Sequence, residues 1–262
     1  MSKVYTTEIT SEQIPSDNPI HQRLLKAYVL ARDYVVGDVL EVGCGEGRGI
    51  DLVINHAVSY TAIDKIEPVI AGLKLKYPQA KFYCDNIPPM NVLGDNSFDR
   101  VLSFQVIEHI KDDRLFLQEI FRILKPGGQA LLTTPNRPKS LSRNPWHIRE
   151  YSASELTLLA STIFPHVEMK GITGNEKVME YYERNRKSVN RIMRYDIFGL
   201  QWRLPSFVLR IPYELFNRWN RIKLQKASDG LVGNIGHADY LLTERPEEAL
   251  DLLLIVKKNL RS

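Results

Sequence analysis

The chain of 262 residues has little cysteine: Cys44 and Cys84 alone, with no CxxC pair. A disulfide framework and a thiolate zinc site are both excluded on that count. Long hydrophobic runs are missing too. The most apolar stretch, around Ala249–Val256, is interrupted by Asp251. It falls well short of the roughly 20 residues that span a bilayer. Met1-Ser-Lys-Val-Tyr-Thr-Thr-Glu8 lacks the apolar core of a signal peptide, so a cytoplasmic setting is expected. No internal repeat or low-complexity tract is visible.

What is present is ordinary in bulk and uneven in detail. Hydrophobic residues at 44% and charged residues at 25% fit a folded globular protein rather than a disordered chain. The length suits one large domain or one domain with an insertion. Net charge is +4, yet the segment from Lys177 to Lys226 holds twelve Lys and Arg against four acids. That segment therefore carries +8 and the remainder −4. The basic character is local.

From Asp38 to Thr134 short apolar runs alternate with longer helical patterns. Strands are expected at Asp38–Val42, Ser59–Ile63, Ala80–Cys84, Phe98–Ser103 and Gln129–Thr134, with helices at Arg48–His56, Glu67–Lys76 and Asp112–Leu124. Such alternation predicts βαβ units, a parallel doubly wound sheet and ligand binding at the strands' carboxyl edge. A helix is expected over about 18–36. Another should start near Ala153, where Ser152 and Glu155 have capping-box spacing. Strands follow at His166–Thr173 and Leu250–Val256. Between them, residues 175–230 hold nine of the 24 aromatics, which predicts a helical cap rather than a loop.

The most informative segment is Val39-Leu-Glu-Val-Gly-Cys-Gly-Glu-Gly-Arg-Gly49. A strand runs into glycines at 43, 45 and 47 and then into a helix, so a ligand can approach bare backbone. A dinucleotide fingerprint, GxGxxG, fails because its last position falls on Arg48 or Ile50. An acid, one residue and then GxGxG does fit. Taken alone, the loop could equally be an ordinary strand–helix turn.

With that segment the chain resembles the class I S-adenosylmethionine-dependent methyltransferases, over about residues 20–174 and again at the terminal strand. Further motifs stand in family order: Asp64 ending the second strand, Cys84-Asp85-Asn86-Ile87 ending the third, and Asn96 to Ile110 around the fourth. Leu124-Lys-Pro-Gly-Gly128 precedes the fifth. The resemblance implies a doubly wound α/β fold with a seven-stranded Rossmann-like sheet and a helical insertion before the last strand. It divides the chain into a cofactor-binding domain, 1–174 plus 231–262, and the cap, 175–230. It implies S-adenosyl-L-methionine as cofactor. Glu41 would sit near the methionyl ammonium, and the backbone of Gly43, Cys44, Gly45 and Gly47 would lie along the ligand. Asp64, next to Lys65, would accept from the ribose hydroxyls, or be a solvated strand end. Asp85 would accept from the adenine amine with Asn86 and Ile87 nearby, or the segment is a simple turn. Ser103, Phe104 and Gln105 would border the reaction chamber with Thr133-Thr-Pro-Asn136.

Methyl transfer needs positioning above all, and a base only where the acceptor must lose a proton. His147, in Asn144-Pro-Trp-His-Ile-Arg-Glu-Tyr151, is the candidate base, with a loop-pinning role as the alternative. Glu108-His109 is half of a Glu-x-x-Glu-His magnesium motif found in some related enzymes. Gln105 stands where the first Glu belongs and removes a charge that a hard cation prefers, so no metal site is expected. Arg23 is expected to be a solvated helix residue, the alternative being a partner for the methionyl carboxylate. In the insertion, Phe207, Val208, Ile211, Leu215, Trp219 and Ile222 fall at helical spacing among Arg210, Arg218, Arg221 and Lys223. That face could pack down as a lid, contact an anionic or lipid-linked acceptor or membrane surface, or meet nucleic acid.

The expected function is methyl transfer to a hydroxyl of a small-molecule, glycan or lipid-linked acceptor. An amino-group Asn/Asp-Pro-Pro-aromatic motif is absent, and no RNA-binding module is visible, which argues against a nucleic-acid substrate. The alternatives are a methyltransferase-like protein that holds cofactor without turnover, a nucleic-acid methyltransferase using the basic insertion, and small-molecule N-methylation. No feature of the sequence indicates oligomeric state.

Overall fold

A computed structural model of the chain describes residues 15–194, 196, 199–227 and 229–260. The start of the chain, read above for a signal peptide, lies outside the described residues.

After helix α1 (Asn18–Ala31), strand β1 (Asp38–Val42) leads through the glycine loop into α2 (Ile50–Val53). Then follow β2 (Ser59–Asp64), α3 (Glu67–Lys76), β3 (Lys81–Cys84), β4 (Phe98–Phe104), α4 (Asp113–Ile123) and β5 (Leu124–Pro135). Next come α5 (Ala153–Ser161), β6 (His166–Gly174) and four helices, α6 (Glu176–Met193), α7 (Leu200–Arg203), α8 (Ser206–Ala227) and α9 (Asp229–Gly233). Strands β7 (Tyr240–Thr243) and β8 (Asp251–Lys257) close the chain.

The eight strands form one mixed sheet in the order β3-β2-β1-β4-β5-β8-β6-β7. Strands β1 to β5 pair in parallel, and β8 lies antiparallel between β5 and β6. This is the Rossmann-like methyltransferase architecture, with one strand more than the seven expected. The addition is β7, an antiparallel edge partner of β6. It is four residues long, and neighbouring Leu241 and Leu242 are both exposed, so no alternation announces it.

Both faces of the sheet are covered, which is why its central strands read as continuous apolar runs. One core joins α1, α2 and α3 to the sheet through Tyr28, Ile50 and Leu73; the other seats Phe116 and Ile120 of α4 and Leu156 of α5. Local chemistry sets the helix starts. Ser152 and Glu155 form the reciprocal capping box at α5, and Asp112 accepts from the Leu115 amide at α4. The helix expected over 48–56 is reduced to α2 and a 3-10 turn at Ile54–His56, because the loop's left-handed glycines delay its start.

Candidate functional site

Strand order reverses between β1 and β4, and the carboxyl ends of both open on the same crevice. There the chain leaves β1 through Gly43, Gly45 and Gly47 at φ +77°, +49° and +77°. A Cβ on Gly43 would meet Val106 Cγ2 at 2.4 Å, and one on Gly47 would meet Leu73 Cδ2 at 2.6 Å. A Cβ on Gly45 would meet nothing within 4 Å. Packing requires the outer two glycines, whereas the middle one faces open space. A cavity of about 260 Å³ lies at the loop, walled by His21, Leu24, Tyr28, Phe104 and Gln105 together with Gly43 to Arg48.

Asp64 ties the loop to β2. Its carboxylate accepts from the Gly45 amide at 2.9 Å and from the Ile66 amide at 3.0 Å. The Asp85 amide donates to the Asp64 carbonyl at 3.1 Å, which brings the end of β3 alongside. Asp85 itself accepts from the Asn86 amide at 2.8 Å. Lys65, Asp85, Asn86 and Ile87 do not line this cavity.

Glu41 and Ser103 line neither this cavity nor the one beside it. Glu41 is only 1% exposed, and its two oxygens accept from the hydroxyls of Tyr28, at 2.6 Å, and of Tyr60. It stands behind Tyr28. Its contacts tie α1 and β2 to β1 below the loop. Ser103 is likewise turned into the sheet, donating to the Val42 carbonyl at 3.2 Å. Burial is the main reason that the Glu41 carboxyl is pushed up to about 7, with the tyrosine hydrogen bonds opposing the shift. A raised folded-state pKa means that the folded protein holds a proton the unfolded chain releases. Stability from this group is full below the ordinary carboxylate pKa and declines as pH rises through about 7. Glu41→Gln should therefore remove roughly 2–4 kcal/mol of pH dependence between about pH 5 and pH 8. Thermal melts of both proteins at those pH values check it; parallel curves would reject it.

A second cavity, of about 270 Å³, adjoins the first, and Leu24 and Gln105 line both. Gln105 has φ +58°, a left-handed conformation uncommon outside glycine, and its amide donates to the Thr133 carbonyl at 2.9 Å. Among the walls of the second cavity are Glu108, His109, Pro135, His147 and Glu150. Thr133, Thr134 and Asn136 are buried, and Thr134 donates to Glu108 at 3.0 Å. His147 is held at both ring nitrogens: Nδ1 lies 2.6 Å from Glu150 Oε1, and Nε2 lies 2.9 Å from Asn144 Nδ2. A proton on Nδ1 satisfies both contacts, with the Asn144 amide donating to Nε2. Ser140 donates to the other Glu150 oxygen. His109 packs edge-on against the His147 ring at 5.0 Å, its own Nδ1 being 2.9 Å from the Trp146 carbonyl. Burial pushes the Glu108 carboxyl up to about 7 against the opposing pull of His147.

Glu108, His109 and His147 place one donor atom each within 4.8 Å of one another, a set able to hold a metal ion. His147, the third donor, lies outside the Glu-x-x-Glu-His spacing and joins the other two only in the fold. The expectation for Arg23 is also corrected: it is no solvated residue. Its Nε lies 3.2 Å from Asp251 Oδ2, the acid being 2% exposed and the arginine 26%. The apolar stripe of α8 does not pack down either. Phe207, Ile211, Leu215 and Trp219 are 72%, 70%, 66% and 54% exposed. Tyr213, Asn217, Asn220 and Arg221, from the other side of α8, line the second cavity instead.

Comparison with known proteins agrees with this fold. The methyltransferase-domain family matches residues 40–132. A probable S-adenosylmethionine-dependent methyltransferase of Mycolicibacterium smegmatis is 42% identical over 136 residues, half of this chain and 52% of that protein. One of Mycobacterium tuberculosis is 36% identical over 173 residues, 63% of this chain and 62% of the relative. The chain thus spans between half and two thirds of the length of these curated relatives. Among solved structures, an S-adenosylmethionine-dependent methyltransferase of Thermotoga maritima superposes with a TM-score of 0.55 at 16% identity, covering 92% of this chain and 91% of its own. The cyclase SpnF does so at 0.52 and 17%, covering 91% and 82%. Residues 40–132 thus match a methyltransferase domain, and the fold is that of the S-adenosylmethionine-dependent methyltransferases. The matched domain and the fold together imply S-adenosyl-L-methionine as the cofactor.

Proposed function

We propose that this chain moves the methyl group of S-adenosyl-L-methionine to a hydroxyl of a small-molecule, glycan or lipid-linked acceptor. The observation that carries the reading is the meeting of two cavities at Leu24 and Gln105, one on the glycine loop and one on the His147–Glu150 pair. When bound, the cofactor supplies a methyl carbon already activated by positive sulfur. In this reading the open side of Gly45 receives the ligand, while Gly43, Cys44 and Gly47 present backbone to it. Asp64 reaches the ribose while still pinning the loop, with Lys65 outside. Asp85, Asn86 and Ile87 border the adenine, and Phe104 and Gln105 wall the methyl end. Glu41 and Ser103 act at one remove, by fixing β1 against its neighbours. Residues 175–230 form the cap over the acceptor cavity.

An acceptor hydroxyl takes the place of Asn144 at His147 Nε2 and gives up its proton there. Glu150 holds the Nδ1 proton, which fixes the tautomer and stabilises the imidazolium. Calorimetry should show binding of S-adenosylmethionine and its demethylated product and none of NAD. Label from methyl-tritiated cofactor should then pass into a fraction of polar or lipid extracts. His147→Ala is expected to slow that transfer by about 10²–10⁴-fold with product affinity unchanged. Transfer at the wild-type rate would remove the base. Binding without any transfer would instead favour a cofactor-holding scaffold, a role that shared fold alone does not exclude.

A second reading rests on the Glu108, His109 and His147 donors. With a divalent cation there, His147 is a ligand and EDTA abolishes transfer until magnesium or manganese is restored. Activity indifferent to EDTA sinks this alternative.

A further inference from the structure

Helix α8 is apolar on two sides: Leu224 is buried in the core, yet a second apolar stripe faces outward. A helix covering a globular core turns its apolar stripe inward and its polar face to water. Here Asn220 is buried, bonded to Asn185 at 2.8 Å and to Ser188 at 2.7 Å. Arg221 reaches Asp17 at 3.0 Å, and Tyr213 and Asn217 face the second cavity. Phe207, Val208, Ile211, Leu215, Trp219 and Ile222 are the outward residues, a continuous stripe along about four turns. Three exposed bases, Arg210, Arg218 and Lys223, interleave with it against a single exposed acid, Glu214. Nothing among the described residues covers this face. Among the described residues no helix is long and apolar enough to cross a membrane.

We propose that the outward face of α8 seats the protein on an anionic lipid bilayer surface, lying in the interface with Phe207, Ile211, Leu215 and Trp219 inserted among the acyl chains. Charge decides between this occupant and a second copy of the chain. A two-fold dimer would bring Arg218 and Lys223 of one copy against the same bases of the other, whereas anionic headgroups satisfy both. Arg210 stacks over the Trp146 ring at 4.2 Å. An apolar stripe carrying an aromatic anchor and flanked by bases is the composition that partitions into the interface. Because the other side of the same helix walls the second cavity, this seat favours the lipid-linked member of the acceptor classes above. It rests on that reading to this extent alone.

The test is co-sedimentation with vesicles of phosphatidylcholine, with and without phosphatidylglycerol, alongside calorimetry with the demethylated cofactor. The protein should pellet with anionic vesicles and shift its tryptophan emission to the blue, and do neither with neutral ones. Combining Ile211→Ser, Leu215→Ser and Trp219→Ser should weaken partitioning by at least about a hundredfold. Arg218→Gln with Lys223→Gln should weaken it by roughly fivefold per charge. Both variants should keep the wild-type affinity for the demethylated cofactor, which shows that they fold. Failure to pellet while the cofactor product still binds overturns the membrane seat and leaves the proposed function standing. So does a stripe variant that partitions like wild type. A stripe-dependent doubling of mass in light scattering, or a salt-sensitive RNA gel shift without vesicle binding, would assign the face to another partner and overturn it equally.

Discussion

Gly45→Ala is expected to leave the protein folded and to weaken binding of the demethylated cofactor by about a hundredfold or more, whereas Gly43→Ala should damage the fold itself. Both positions are left-handed, and a non-glycine residue there costs about 1–2 kcal/mol. Beyond that term they differ. At Gly45 the added methyl meets no protein atom within 4 Å, so it projects into the space proposed for ligand. At Gly43 it meets Val106 Cγ2 at 2.4 Å, inside the packed core, and repacking there adds about 1–3 kcal/mol. Melting temperature and calorimetric affinity separate the two, because Gly45→Ala should lose the second and keep most of the first. Asp64→Ala is the companion test. It strips the acceptor from the Gly45 and Ile66 amides, so loop and ligand should be lost together. Wild-type affinity in Gly45→Ala would show that the ligand does not lie along this loop.

Arg23→Met should cost about 3–5 kcal/mol, because it leaves Asp251 as a buried and unpaired acid. In a chain of this length that lowers the melting temperature by roughly 10 °C. Burial raises the Asp251 carboxyl, and Arg23 is the largest opposing influence. Without the arginine the acid keeps a proton to higher pH in the folded state. The loss should therefore deepen as pH rises and shrink toward the ordinary carboxylate range. The double variant Arg23→Met with Asp251→Leu should recover much of the stability, since it removes the stranded charge. Melts of the three proteins at mildly acidic and mildly alkaline pH decide it. Equal stability of wild type and Arg23→Met would show that the pair carries no weight.

Where structure depends on near neighbours, the sequence was legible. Strand β1 and helix α3 have the bounds expected from apolar runs and flanking punctuation, and the capping box at Ser152 and Glu155 forms as its spacing requires. The glycine loop could be read because its chemistry is local: three left-handed positions in five residues admit little but glycine. Strand β7 escaped notice because its two central leucines face solvent and only pairing with β6 makes it a strand. The Tyr28 and Tyr60 hydroxyls on Glu41 come from α1 and β2, so no window around the loop contains them. His147 joins Glu108 and His109 only when the chain beyond β5 folds back over them.

Residue type and spacing by themselves determined the alternation of strands and helices from β1 to β5, the glycine loop after β1 and the basic character of the insertion. These follow from backbone sterics and apolar periodicity, which act over a few residues. Tertiary structure alone decided which groups are withdrawn behind the loop, that Arg23 meets Asp251, and that α8 turns an apolar stripe to solvent. Each of those depends on desolvation and pairing between segments far apart in the chain, and an apolar stripe reads the same whether it faces core or water.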